Sequence, residues 1–259
     1  TRINKYYSNK RSQKFPFQVS DDLYIRNYND TIFNEIINSE LSDSLSYVYS
    51  DLPYFLLKFY LEKKYESSLD TQIKNYLYDK IGSTSLTYKP TNFLDNKLIV
   101  PSALDDYFRF DFVEGHVHDM GAAMQNGVGG HAGLFGDAYS VAALMQMYLQ
   151  GGYYNRISLL KKPIIDSFNK SYYKKHGNRR GVGFDKPQLK GKHLSTFGNV
   201  SMDSFGHFGY TGTYTWADPD KEIIIVILAN RTYPNDNFSF SENNVRTRIQ
   251  EIVYESIIN

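Results

Sequence analysis

Phe205-Gly206-His207-Phe208-Gly209-Tyr210-Thr211-Gly212-Thr213-Tyr214-Thr215-Trp216-Ala217-Asp218-Pro219-Asp220-Lys221-Glu222-Ile223-Ile224-Ile225-Val226-Ile227-Leu228-Ala229-Asn230 reads as sheet, after a chain whose earlier parts run at helical spacing. Strands are expected over Val200–His207, Thr213–Ala217 and Glu222–Asn230, the last two joined as a hairpin through Asp218-Pro219-Asp220-Lys221. Ile223–Leu228 is so apolar that it must lie inside the sheet. Glycines at 206, 209 and 212 weaken a strand unless its backbone must come close to something. That something is either a ligand edge or a bulge or neighbouring strand. Downstream, Val245, Ile249, Ile252, Val253 and Ile257 form the apolar stripe of a terminal helix suited to cover the sheet.

Upstream the pattern is helical. Residues 1–46 are polar and Tyr-rich, with one helix expected over Thr31–Asn38 behind Asp30 as N-cap, and otherwise a long ordered connection. Phe55, Leu56, Phe59 and Tyr60 repeat at helical spacing between Pro53 and Tyr65. A further helix is expected from Thr71 to Ile81, stopping at Gly82. Gly115–Gly136 is glycine-rich and reads as an ordered loop, after which Asp137 caps a helix over Ala138–Leu149 ended by Gly151-Gly152. The expected class is α+β, a helical lobe followed by an antiparallel sheet with a C-terminal covering helix. The helical lobe spans 1–136 and the sheet-containing part 137–259, both within one domain.

Length and composition exclude several function classes. A chain of 259 residues buries roughly three quarters of its unfolded surface and so has a real core. Lys plus Arg is 29 against 28 for Asp plus Glu, so no field gathers nucleic acid or an anionic membrane. Cysteine is absent, which removes disulfides, thiolate nucleophiles and Cys-ligated metal sites. No stretch reaches the length of an apolar membrane span. The chain opens on Thr1-Arg2-Ile3-Asn4-Lys5, without an initiator methionine or signal-peptide pattern, and is expected to be a piece of a longer protein.

Tyr49-Ser50-Asp51 sits just before the Pro53 helix, where the positive end of the dipole favours a phenolate or a bound anion, and where Ser or Asp also serves as a plain cap. Taken with His207-Phe208-Gly209, about 160 residues later, it resembles the second and third motifs of the serine β-lactamase and D,D-peptidase superfamily. In that superfamily a Tyr-x-Asn or Ser-x-Asn element and a Lys-Thr-Gly or His-Thr-Gly strand face a Ser-x-x-Lys helix across one cleft. Tyr47–Leu57, Glu114-Gly115-His116-Val117-His118-Asp119, Gly129–Phe135 and Phe205–Arg231 are similar to the branch often appended to family 3 glycoside hydrolases.

The resemblance implies a catalytic set of Tyr49, Ser50, Asp51, His207, Gly209 and Tyr210. Tyr49 would relay protons, Asp51 would occupy the amide position that orients substrate, and His207 would stand where the third motif usually has lysine, donating toward a substrate carboxylate or Tyr49. Tyr210 would lend its backbone N–H to the oxyanion hole, with Gly209 allowing the close approach. Phe208 departs from the pattern, which has Thr or Ser there. A periplasmic or cell-surface location, an amide or ester substrate of the peptidoglycan or β-lactam kind, and no cofactor or metal are further implications. Three Ser-x-x-Lys matches occur, at Ser158, Ser167 and Ser171, but all follow Tyr49, so the nucleophile is expected upstream of Thr1 and the chain alone should not acylate. That missing segment would leave an apolar sheet edge open to its own upstream partner or to a homodimer.

Three other signals are weighed. His116, His118 and His131 could gather a metal or serve as hydrogen-bonded loop residues. Gly127–Ala132 matches a dinucleotide fingerprint formally, but no strand precedes it. Arg179-Arg180 reads as a solvated turn before a strand over Gly181–Phe184, with reach toward a substrate carboxylate as the alternative. The rival to an enzymatic reading is a non-catalytic peptidoglycan- or glycan-binding module attached to a glycosidase.

Overall fold

A computed structural model describes residues 5–41, 47–188 and 200–258 of the chain. It opens with three short strands, β1 (Tyr7–Ser8), β2 (Phe17–Ser20) and β3 (Leu23–Ile25), paired antiparallel in the order β1-β3-β2. This corrects the expected long connection: Val19, Leu23 and Ile25 are core residues packed with Val117, Ala122 and Ala123. Strands of two to four residues are too short for an alternation to be read from sequence.

Helix α1 (Asn29–Ile37) begins after Tyr28 rather than behind Asp30, and its Phe33 meets Phe59 of α2 (Leu52–Tyr65) edge to face. The buried residues of α2 are Phe55 and Lys58, while Tyr60 of the expected apolar face is exposed. Lys58 is held by Gln125 Oε1 at 3.3 Å and Glu62 at 3.6 Å. Next come α3 (Leu69–Ile73), continued by a π-helical turn over Lys74–Tyr78 and a positive-φ Gly82, and strand β4 (Thr87–Tyr88). The hairpin β5 (Ala103–Asp105) and β6 (Asp111–Val113) leads into the glycine-rich segment. That segment is not all loop: it holds α4 (Met120–Met124), capped by Asp119, and β7 (Leu134–Phe135), which pairs with β4.

Helix α5 (Ala138–Leu149) has the expected Asp137 cap, at 2.7 Å from Ser140 N, and the expected glycine stop. The hairpin β8 (Tyr153–Tyr154) and β9 (Ile157–Ser158) and helix α6 (Lys162–Asn169) follow. The main sheet then forms from β10 (Phe205–Phe208), β11 (Tyr214–Asp218) and β12 (Ile223–Ile227) in sequence order, all antiparallel. Helices α7 (Ser239–Glu242) and α8 (Val245–Ile258) close the chain.

Strand alternation divides the sheet cleanly. Phe205, Ala217 and Ile224 pack with Met145 of α5 on one face, and Tyr214, Trp216 and Ile225 pack with Tyr254 of α8 on the other. The strand expected over Gly181–Phe184 is absent; instead Asp185 alone bridges Gly206, extending the free side of β10 by one pair. Helix α8 covers the sheet through Thr247, Gln250, Val253 and Tyr254, so the expected stripe of Ile249, Ile252 and Ile257 points outward.

Asp218 fastens this layer. Its carboxylate is fully buried and accepts from Ser201 N, Ser201 Oγ, Asp220 N, Lys221 N and Tyr254 OH at 2.5–3.2 Å. Burial works against its ionisation, but the bonds from Ser201, Tyr254 and Lys221 outweigh it and hold the pKa below the ordinary carboxylate value. A depressed folded pKa adds stability that is complete above the unfolded pKa of about 3.9 and is lost as pH falls through the folded value. Asp218→Asn is therefore expected to cost about 1–3 kcal/mol at pH 7 and progressively less toward pH 3. Urea midpoints across that range check it; a penalty independent of pH contradicts the account.

Candidate active site

Tyr49 precedes the first turn of α2, where Asp51 O accepts from Tyr54 N and Phe55 N. Asp51 occupies the cap position, yet its side chain makes no capping bond; Ser50 Oγ accepts from Leu52 N at 3.2 Å instead. The carboxylate is thus not consumed by helix capping, and the Tyr49 ring stands 57% exposed beside it. Burial and then the Asp51 carboxylate raise the Tyr49 pKa, against an opposing pull from Arg180. Both effects work against a phenolate at Tyr49.

The glycine-rich segment is the platform under this turn. Phe55 stacks on His131 with ring centroids 4.5 Å apart, His131 Nε2 meets Asp119 Oδ1 at 2.7 Å, and Asp119 Oδ1 also accepts from Ala122 N at 2.7 Å. A side chain at Gly130 would collide with the Tyr54 carbonyl. His116 turns instead to Asp21 at 3.3 Å, and His118 lies against the Tyr210 ring at 5.3 Å. The three histidines therefore serve separate contacts, and among the described residues no group of three or more His, Cys, Asp or Glu side chains is arranged to hold a metal ion.

On the sheet side, His207 lies on the α5 face of β10, opposite Thr215. The glycines around it are explained by internal packing. A Cβ at Gly206 would strike the Thr215 carbonyl, one at Gly209 the Thr213 hydroxyl, and Gly212 adopts φ +114° in the turn. Each of these glycines thus has an internal packing reason, the second alternative raised by the sequence. Phe208 faces the other way, 4.8 Å from the Tyr214 ring and under Arg246. Arg246 holds the Gly209 and Thr213 carbonyls, and Arg231 Nε holds the Tyr210 carbonyl at 2.8 Å. The Tyr210 phenol donates to Asp236 at 2.5 Å, while its backbone N–H meets no backbone carbonyl among the described residues.

Arg180 joins the two walls, and sequence reasoning missed its place. Its Nη1 lies 2.7 Å from His207 Nε2, and its guanidinium sits 5.3 Å from the Tyr49 ring centroid and 5.8 Å from that of Tyr47. The expected solvated turn is instead an ion-pair cluster. Arg179 grips both oxygens of Asp185 at 2.7 Å, Arg180 reaches Asp185 Oδ2 at 3.3 Å, and Asp185 is 2% exposed. The two arginines five and six residues before Asp185 were a faint signal, but nothing in the sequence placed Asp185 beside Gly206.

Arg180 can only donate, so His207 Nε2 must accept, and the ring proton sits on Nδ1, which meets the Phe208 carbonyl at 2.7 Å. Burial lowers the His207 pKa, with Arg180 acting in the same direction against the Phe208 carbonyl. The histidine is neutral with both ring nitrogens occupied, so it has no donor left for a substrate carboxylate. The Ser-x-x-Lys matches lie elsewhere: Ser158 is exposed on β9, Ser167 bonds Tyr172, and Ser171 donates to the Arg179 carbonyl.

The family model described as Beta-lactamase matches residues 39–246. A protein of Salmonella agona provisionally named D-alanyl-D-alanine carboxypeptidase is 29% identical over 212 residues, covering 75% of this chain and 47% of that protein. A Salmonella typhi protein of the same name aligns equally well. The chain thus spans about half the length of the curated relatives it matches. A β-lactamase from Mycobacterium bovis superposes with a TM-score of 0.56 at 16% identity, covering 82% of this chain and 65% of its own. A penicillin-binding protein homologue from Caulobacter crescentus does so with 0.57 at 14%, covering 86% and 64%. The α+β fold is that of the β-lactamases and penicillin-binding proteins, and the chain belongs to the Beta-lactamase family.

Proposed function

We propose that the protein is a serine acyl-transfer hydrolase acting on an amide or ester, with Tyr49, Ser50, Asp51, His207, Gly209 and Tyr210 lining its cleft and the nucleophile supplied by a part of the protein outside Thr1–Asn259. The serine oxygen attacks the substrate carbonyl, the amine or alcohol leaves with a proton, and water then releases the acid from the acyl-enzyme. Tyr49, kept as a phenol, relays the proton, and the Tyr210 N–H faces the developing oxyanion. The observation that carries this reading is the meeting of Tyr49 and His207, about 160 residues apart in sequence, around one guanidinium.

Relatives bearing a D,D-carboxypeptidase name favour a peptidoglycan peptide as substrate, and with it a periplasmic or cell-surface setting. The full-length protein is expected to be labelled covalently by a fluorophosphonate probe or fluorescent penicillin, while the chain Thr1–Asn259 is not. No labelling of the full-length protein removes the acyl-transfer reading. Phe208, turned toward α8 where the family has a hydroxyl, favours the second reading: a binding module that retains the fold without turnover. Muropeptide binding without any labelling is its signature.

A further inference from the structure

The cations of this chain are unevenly spread. Residues 161–180 hold seven Lys or Arg and one carboxylate, Asp166, although the whole chain has 29 and 28. The balanced total removes a field from the molecule as a whole, but screening confines attraction to about 8 Å in physiological salt, so at a surface the local distribution decides. Lys162 is answered by Asp166 at 2.7 Å, and Arg179 and Arg180 by Asp185. Lys161, Lys170, Lys174 and Lys175 are exposed, and among the described residues none of them has a carboxylate within ion-pair distance. Apolar side chains stand among these lysines. Ile164 and Phe168, four residues apart, share the outer side of α6, while Ile165 turns inward and is buried. Val182 N donates to the Phe168 carbonyl at 2.6 Å and Ser167 Oγ meets the Tyr172 hydroxyl at 2.9 Å, which gathers the following segment against the end of α6. Ile164, Phe168, Tyr172, Tyr173 and Val182 are each 47–65% exposed, and the Lys170 ammonium lies 5.3 Å from the Tyr172 ring centroid.

We infer that this face, α6 with the segment up to Val182, docks the protein on a bilayer that carries anionic lipids. A soluble polyanion would take up the lysines but offers no apolar phase to Ile164, Phe168 and Val182. A headgroup layer serves both: the apolar side chains enter the acyl boundary while the lysine stems lie along it with their ammonium groups at the phosphates. Tyr172 and Tyr173 suit the same depth, with the ring buried and the hydroxyl wet. The face is fixed to the body of the protein through buried Ile165 and through Asn169 Oδ1, which accepts from Lys186 Nζ at 3.2 Å. The same segment carries Arg180 between Tyr49 and His207, so docking holds the candidate site next to the bilayer. The inference goes beyond the acyl-transfer reading and does not depend on turnover.

The test is sedimentation of the full-length protein with vesicles of phosphatidylcholine alone and of an equimolar mixture with phosphatidylglycerol. A preference for the mixed vesicles that weakens with added salt is expected, and equal partition into the two overturns the proposal. A lysine near an anionic surface is worth about fivefold in partition, so Lys170→Gln, Lys174→Gln and Lys175→Gln together should lower binding to the mixed vesicles by roughly a hundredfold. Unchanged binding of that triple variant is equally fatal. Ile164→Ser with Phe168→Ser keeps every charge and should weaken binding by about tenfold. No loss there, or binding of soluble polyglutamate as tight as that of the vesicles, overturns the lipid assignment in favour of a polyanion. All five positions are exposed, so the urea midpoints of both variants should match the wild type and the losses are read on folded protein. Vesicle preference without probe labelling removes turnover and leaves the docking face standing. Labelling without any vesicle preference does the reverse.

Discussion

Arg109→Ala is expected to destabilise the protein severely. The residue is 1% exposed, and its guanidinium is spent on the interior: Val19 O at 2.9 Å, Asp105 Oδ2 at 2.9 Å, Val117 O at 2.6 Å and His118 O at 3.2 Å. Alanine leaves two buried carbonyls, one half-buried carbonyl and one buried carboxylate without their donor. Breaking a buried pair from one side costs about 3–5 kcal/mol, a large part of the 5–15 kcal/mol that holds a typical domain. Asp105 deepens the loss, because its other oxygen caps the turn at Tyr107 and Phe108. Lysine should rescue little, since one ammonium cannot span four acceptors in different directions.

Urea unfolding followed by Trp216, the only tryptophan and fully buried, measures the effect. A loss below about 1 kcal/mol would show that the guanidinium is not structural. The consequence for the site is direct, because Val117 and His118 lead into Asp119, which anchors His131 under Phe55 at the start of α2.

The second large effect is chemical. Tyr49→Phe in the full-length protein should lower the rate of covalent labelling by about 10²–10⁴, the usual worth of a positioned proton-transfer group. The ring is 57% exposed, so removing one hydroxyl should barely alter stability. Because burial and Asp51 raise the phenol pKa above its ordinary 10, Tyr49 stays protonated through neutral pH. Its ionisation should therefore add no limb to the pH–rate profile between about pH 6 and 9. Stopped-flow labelling across that range reads both quantities. Equal rates for the two proteins would remove Tyr49 from the mechanism.

Much of this was legible before any coordinates. Tyr49-Ser50-Asp51 before Pro53, the glycine-spaced His207 motif, the Asp137 cap and the apolar Ile223–Ile227 strand are local signals, each readable from spacing and residue type. They sufficed for the α+β class and for proposing Tyr49 and His207 as candidate site residues. The short N-terminal strands were not legible, because their stability comes from packing on Val117 and Ala122 nearly a hundred residues away. Nor was the buried face of α8, where Thr247, Gln250 and Tyr254 turn inward although isoleucines were available; Tyr254 is drawn in by the buried Asp218 carboxylate.

The same holds at the site. From the sequence, the family resemblance implied that Tyr49 and His207 belong to one machinery and that Phe208 departs from its pattern. Only the tertiary structure decided what those residues can do, because protonation and donor capacity depend on partners distant in the chain. His207 is a neutral acceptor since Arg180 points a permanent donor at its Nε2, and Arg180 is there since Asp185 pairs with Gly206 across the edge of β10.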